Sequence, residues 1–164
     1  MQLTDIVNFD LKDEPGEYGF SKILILGKDA FEHTRDEKNI KPVSIIRSSS
    51  PEFIKKNMRN FDLLHLTTFE ANVELITAAA AKKKRFLVPV SEILEKEGQD
   101  RSLAMYRIKR FIQFCIAYKA KFVIVSFAKS IYALRSPKEI AMIMGLVGLN
   151  ENQALKAMQL WGSI

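Results

Sequence analysis

From Val43 onward the chain alternates short apolar runs with helix-forming stretches, and that alternation limits the folds open to it. The runs cover residues 43–46, 63–66, 86–90 and 122–125, and helices are expected over 51–58, 70–82, 101–118, 137–147 and 151–161. Runs as continuously apolar as Phe122-Val123-Ile124-Val125 mark strands buried on both faces. Strand–helix–strand repetition predicts parallel strands joined by right-handed crossovers. Two architectures satisfy it, an open doubly wound sheet and a barrel. Residues 6–9 and 23–26 read as two earlier strands, six in all. A full barrel of eight units takes about 250 residues, so a barrel of 164 residues must be trimmed or incomplete. In either case sites are expected at the carboxyl ends of the strands. No linker, repeat or low-complexity tract divides residues 1–164, which predicts one α/β domain.

The stretch 101–149 carries the sharpest local signals. Ala104, Ile108, Phe111, Ile112 and Cys115 share one helical face, with Ser102, Lys109, Arg110 and Gln113 opposite. Phe111, Phe114 and Tyr118, at helical spacing, read as core. Ser136, Pro137 and Glu139 form a helix start with a capping box, and Asn150 with Gln153 repeats the pattern. Gly148 reads as a helix stop. Residues 10–19 and 31–41 are polar, charged connections.

Chemistry-bearing patterns are scarce. No glycine-rich nucleotide fingerprint follows a strand. His33 and His65 are the two histidines; His65, inside an apolar strand, reads as a hydrogen-bonded structural residue rather than a catalytic base. Asp62, Glu70 and Glu74 are scattered carboxylates, with no cluster of the kind a metal-dependent phosphoesterase needs. Cys115 is the single cysteine, which excludes an internal disulfide and suits a reducing cytoplasm; on an apolar helix face it is expected to be inert. No apolar run is long enough to span a bilayer, and the N-terminus has no signal-peptide pattern.

Positive charge is better organised. The formal net charge is +6, which suits an anionic partner. Lys82-Lys83-Lys84-Arg85 joins a helix to a strand, Arg107, Lys109 and Arg110 crowd one helix, and Lys119, Lys121 and Lys129 flank the next strand. Arg135, just before the Ser136 cap, places a guanidinium where free N–H groups favour a phosphate. Its replacement by alanine is expected to shift stability by no more than about 0.5 kcal/mol, as for an ordinary surface residue.

From Lys82 to Ala154 the chain resembles the archaeal ribonuclease P protein component 3 family, related to the thirty-kilodalton subunit of eukaryotic ribonuclease P. The resemblance rests on four segments in order. The first is Ala78-Ala79-Ala80-Ala81-Lys82-Lys83-Lys84-Arg85-Phe86-Leu87-Val88-Pro89-Val90-Ser91, followed by Arg101 at the start of a long helix. Next come Ala117-Tyr118-Lys119-Ala120-Lys121-Phe122-Val123-Ile124-Val125-Ser126-Phe127-Ala128 and Leu134-Arg135-Ser136-Pro137-Lys138-Glu139-Ile140, and Leu149-Asn150-Glu151-Asn152-Gln153-Ala154 closes the series. The chain departs from the family over 67–75, where Thr68 and Leu75 stand at the places of an arginine and a histidine.

The resemblance implies a trimmed TIM-like (β/α) barrel of the polymerase-and-histidinol-phosphatase type without its metal site. It implies a non-catalytic subunit that binds and braces ribonuclease P RNA while the RNA, with magnesium, removes 5′ leaders from precursor tRNA. A second protein subunit of ferredoxin-like fold is the implied partner, with no membrane. Lys83, Lys84, Arg85, Arg101, Lys119, Arg135 and Ser136 are the expected RNA contacts. The alternatives are a metal-dependent phosphoesterase of the parent barrel family and a small-molecule-binding α/β domain.

Overall fold

A computed structural model of the chain describes residues 3–7, 15–25 and 43–159. Strands β1 (Thr4–Val7) and β2 (Lys22–Ile25) pair in parallel, with a 3-10 turn, Pro15–Tyr18, before β2. Strands β3 (Ile45–Ser48), β4 (Leu63–Leu66), β5 (Arg85–Pro89) and β6 (Lys121–Val125) form a second parallel sheet in chain order. Helices α1 (Pro51–Asn57) and α2 (Val73–Ala81) follow β3 and β4. The short α3 (Ser91–Leu94) and the long α4 (Gly98–Ala117) follow β5, and α5 (Pro137–Leu146) and α6 (Glu151–Ala157) follow β6.

The expected alternation is therefore present, with local differences. The α2 helix starts at Val73 rather than at residue 70, because Asn72 Oδ1 accepts from Leu75 N at 2.9 Å and fixes the cap there. The α4 helix starts one turn before Arg101, with Asp100 in its first turn, where the helix dipole favours a carboxylate. The strand expected at 43–46 runs two residues later. The α6 helix ends at Ala157, with Met158 as its C-cap, rather than at Trp161. Residues 8–14 and 26–42, which include His33, the 31–41 connection, the ends of the strands expected at 6–9 and 23–26 and the start of the 10–19 connection, lie outside the described residues.

Alternation along the strands divides their side chains between two cores. Ile6, Leu24, Ile45, Leu63, Leu87, Val123 and Val125 form one apolar cluster to which all six strands contribute, with Val43 beside them. Residues of opposite orientation, including Val7, Ile46, Leu64, Phe86, Val88 and Ile124, pack against the helices. Phe111 anchors that outer core, its ring edge-on to Phe86 and Phe69 at centroid distances of 5.0 and 5.7 Å. Only Phe111 of the three aromatics expected in the core is fully buried; Phe114 is half-buried and Tyr118 is 41% exposed. Cys115 is buried and its thiol is pushed up to about 12 by desolvation, so it has no nucleophilic thiolate at neutral pH.

The two sheets meet through Asp5. Its Oδ1 accepts from Ser126 N at 2.6 Å and its Oδ2 from Ser126 Oγ at 2.5 Å, just past the end of β6. Phe127 N donates to Ile6 O at 3.0 Å, and Thr4 N to Met158 O at 3.1 Å. Thus β1 lies beside β6, and the apolar residues of the two sheets share one cluster.

Candidate functional site

The parallel strands sort the expected contact residues into two groups at opposite ends. Lys83, Lys84, Arg85 and Lys119 lie at the amino ends of β5 and β6, and Arg101, Arg135 and Ser136 lie beyond carboxyl ends. Five strand residues separate the two sets by roughly 16 Å.

At the amino end, helix termination places the cations. Both α2 and α4 end in the same hydrogen-bonded stop. Lys84 N donates to Ala79 O and Lys83 N to Ala80 O; Ala120 N donates to Cys115 O and Lys119 N to Ile116 O. The residue at the turn must be left-handed, and it is Lys83 in one case and Lys119 in the other, each with φ 55°. The α5 helix uses the same stop with Gly148, the residue that conformation favours. The strands that follow are paired neighbours, with Arg85 opposite Lys121 in register. Lys83 and Lys119, each two residues earlier, therefore lie in the turns that lead into these adjacent strands. A groove of about 450 Å³ beside them is lined by Arg85, Lys121 and Lys156 over Ile116 and Phe122. Lys84 points elsewhere: its Nζ donates to Phe61 O at 2.7 Å and Arg59 O at 3.1 Å, bracing the turn before β4.

At the carboxyl end the cations are held by carbonyls. Arg101 Nε donates to Lys96 O at 2.6 Å, and Arg135 Nη1 donates to Tyr132 O at 2.9 Å and Leu134 O at 2.8 Å. Ser136 forms the expected capping box, Oγ accepting from Glu139 N while Glu139 Oε2 accepts from Ser136 N and Oγ, both at 2.8 Å. The Glu139 carboxylate is thereby held below its ordinary range, first by the Ser136 backbone and least by the field of Arg135. The N-terminus of α5 already carries an anion of its own chain. The two carbonyl bonds also raise the expected cost of Arg135→Ala above the surface value, to about 1–2 kcal/mol. A urea titration measures that cost. If Arg135 also meets a phosphate, the salt dependence of RNA binding should flatten by about 0.7–0.9 in slope.

His65 is buried as expected, but the expected hydrogen bond is missing. Neither ring nitrogen has a partner among the described residues, and the ring packs between Phe69 and Phe127. Desolvation, followed by the field of Arg47, lowers its pKa to about 4 and keeps it neutral. Backbone pairing between β4 and β5 covers only Leu63–Arg85 and Leu64–Phe86 and ends just before this residue. No group of three or more His, Cys, Asp or Glu among the described residues could hold a metal ion. No described helix is long and apolar enough to cross a membrane.

Two features escaped the sequence reading. The Asp5–Ser126 contact spans 121 positions, and its one local sign is a carboxylate directly before Ile6-Val7. The other is a groove between the loop 68–71 and Tyr106, Arg107 and Arg110. Its trace was the four-residue spacing of Tyr106, Arg110, Phe114 and Tyr118.

No protein-family model and no curated protein matches the sequence. Among solved structures, a chain in a cryo-electron-microscopy structure of archaeal ribonuclease P with mature tRNA has a similar fold. The TM-score is 0.64 at 14% sequence identity, over 72% of this chain and 54% of that one. This chain thus matches about half the length of its structural neighbour, and the likeness is one of fold.

Proposed function

We propose that this chain is a non-catalytic protein subunit of ribonuclease P, of the protein component 3 type, that binds and braces the catalytic RNA. The observation that carries the proposal is the fold shared with a chain of archaeal ribonuclease P, at a TM-score of 0.64. The order of the motifs from Lys82 to Ala154 and the lysine-bearing turns that lead into the paired strands β5 and β6 support it. We read the architecture as a trimmed barrel, because all six strands contribute to one interior apolar cluster and β1 lies beside β6. In this reading the amino-end lysines track RNA phosphates. The RNA with its magnesium performs the hydrolysis of precursor tRNA in the cytoplasm, and a ferredoxin-like second subunit completes the protein pair.

Reconstitution tests the proposal. Ribonuclease P RNA and the remaining protein subunits should cleave precursor tRNA markedly faster with this chain than without it at limiting magnesium. Cleavage indifferent to the chain, or metal-dependent phosphatase activity in the chain alone, overturns it.

A further inference from the structure

We infer that the groove between the loop 68–71 and α4 is a binding site for one unpaired nucleotide of RNA. The inference rests on the RNA-binding reading above and adds a site remote from the amino-end lysines. The groove encloses about 490 Å³, within the range of about 300–1,000 Å³ typical of small-ligand sites. Arg107 and Arg110 line one wall, and neither forms an ion pair with a described residue. Two guanidiniums one helical turn apart suit a phosphate, with planar forks that bind its oxygens in pairs.

The same helix face supplies a stacking platform. Tyr106 is 56% exposed. The Arg110 guanidinium lies 5.8 Å from the Tyr106 ring centre and 5.9 Å from that of Phe114, and Phe114 stacks on Tyr118 at 6.1 Å. Four planar groups at four-residue spacing thus run along α4 to its C-cap at Tyr118, the arrangement that single-stranded bases extend by stacking. A duplex, whose bases are already stacked on each other, has no face to offer it.

The opposite wall selects orientation. Thr68 Oγ1 is buried and has no hydrogen-bond partner among the described residues. Glu70 adds one carboxylate to the lining. It repels a phosphate and accepts from an amino-bearing base edge, so the nucleotide lies with its phosphate toward the arginines and its base toward the loop. Phe69 holds that loop in place, left-handed at φ 50° with its ring against Phe111. A bulky side chain in that conformation is strained, as residues at ligand sites often are.

The test is fluorescence anisotropy with a labelled six-nucleotide single-stranded RNA and the same strand annealed to its complement. The full chain should bind the single strand more tightly. Tyr106→Ala should weaken that binding about tenfold and Tyr106→Phe by less than about twofold, because the ring and not the hydroxyl stacks. Arg107→Ala should flatten the salt dependence by about 0.7 in slope. Single-strand affinity unchanged in Tyr106→Ala and Arg107→Ala, but reduced in Lys83 and Lys119 variants, overturns the groove and leaves the RNA-binding reading standing. Preference for the duplex also overturns the groove. Failure of the full chain to bind either RNA at low salt overturns both.

Discussion

Replacing Asp5 by asparagine should stabilise the protein by about 3 kcal/mol at pH 7 and change it little below pH 4. Asp5 is fully buried, and desolvation raises its pKa from 3.8 to about 6 against three hydrogen bonds that lower it. Between those values the folded state holds a proton that the unfolded chain has released. The contribution of Asp5 is therefore fully present below pH 3.8 and is lost as the pH rises through about 6. Asparagine keeps an acceptor for Ser126 N and Ile6 N and turns its amide toward Ser126 Oγ, with no charge to desolvate. The opposite titration of His65, whose lowered pKa removes stability as the pH falls from 6.5 toward about 4, overlaps this window. The informative quantity is thus the difference between parent and variant in urea titrations at pH 4, 5, 6 and 7. A difference that does not grow with pH refutes the assignment. Asp5→Ala should differ in kind. It leaves Ser126 N, Ser126 Oγ and Ile6 N without their acceptor, at about 1–3 kcal/mol for each buried donor, and should loosen β1 from β6 at every pH.

Asp5 also marks the limit of what sequence order discloses. The strands from residue 43 onward were legible because buried parallel strands are written as unbroken apolar runs, and α5 and α6 because capping boxes are short-range chemistry in Ser136 to Glu139 and Asn150 to Gln153. The start of α2 was misplaced because Glu70 is a good helix former, while the turn at Phe69 depends on packing against Phe111, 42 positions away in the chain. The Asp5–Ser126 contact is longer still in range and obeys no spacing rule. Charge was legible as clusters, but its direction was not. Lys84 and Lys83 are neighbours in sequence, yet one ammonium is spent on Phe61 O and Arg59 O while the other stands on an exposed turn. Arg135 was legible as a cation at a helix start, and its two carbonyl partners come from the fold of the loop around it.

The double variant Lys83→Gly, Lys119→Gly should gain stability and lose RNA affinity, and the opposition of the two signs tests why lysine is there. Each lysine occupies a left-handed turn at φ 55°, a conformation costing a residue with a Cβ about 1–2 kcal/mol. Glycine removes that strain but adds freedom to the unfolded chain, worth about 0.5–1 kcal/mol. The net gain should be about 0.5–1 kcal/mol per site, raising the midpoint of thermal unfolding by about 2–4 °C per kcal/mol in a protein of this size. Gly148, in the same stop after α5, shows that the fold accepts glycine at this place. Both lysines are exposed, and the register of Arg85 with Lys121 sets their turns before adjacent strands, so they can meet phosphates of one backbone. Removing both should lower RNA affinity on the order of tenfold at low salt and flatten the salt dependence by about 1.4–1.8 in slope, one counterion for each phosphate released. If the double variant is more stable and binds RNA as the parent does, the lysines are conformational accidents and the amino end of the strands is not the RNA face. If it is less stable, the left-handed turns hold contacts beyond the backbone. Gain of stability together with loss of affinity is the result expected when strain is kept for a binding role.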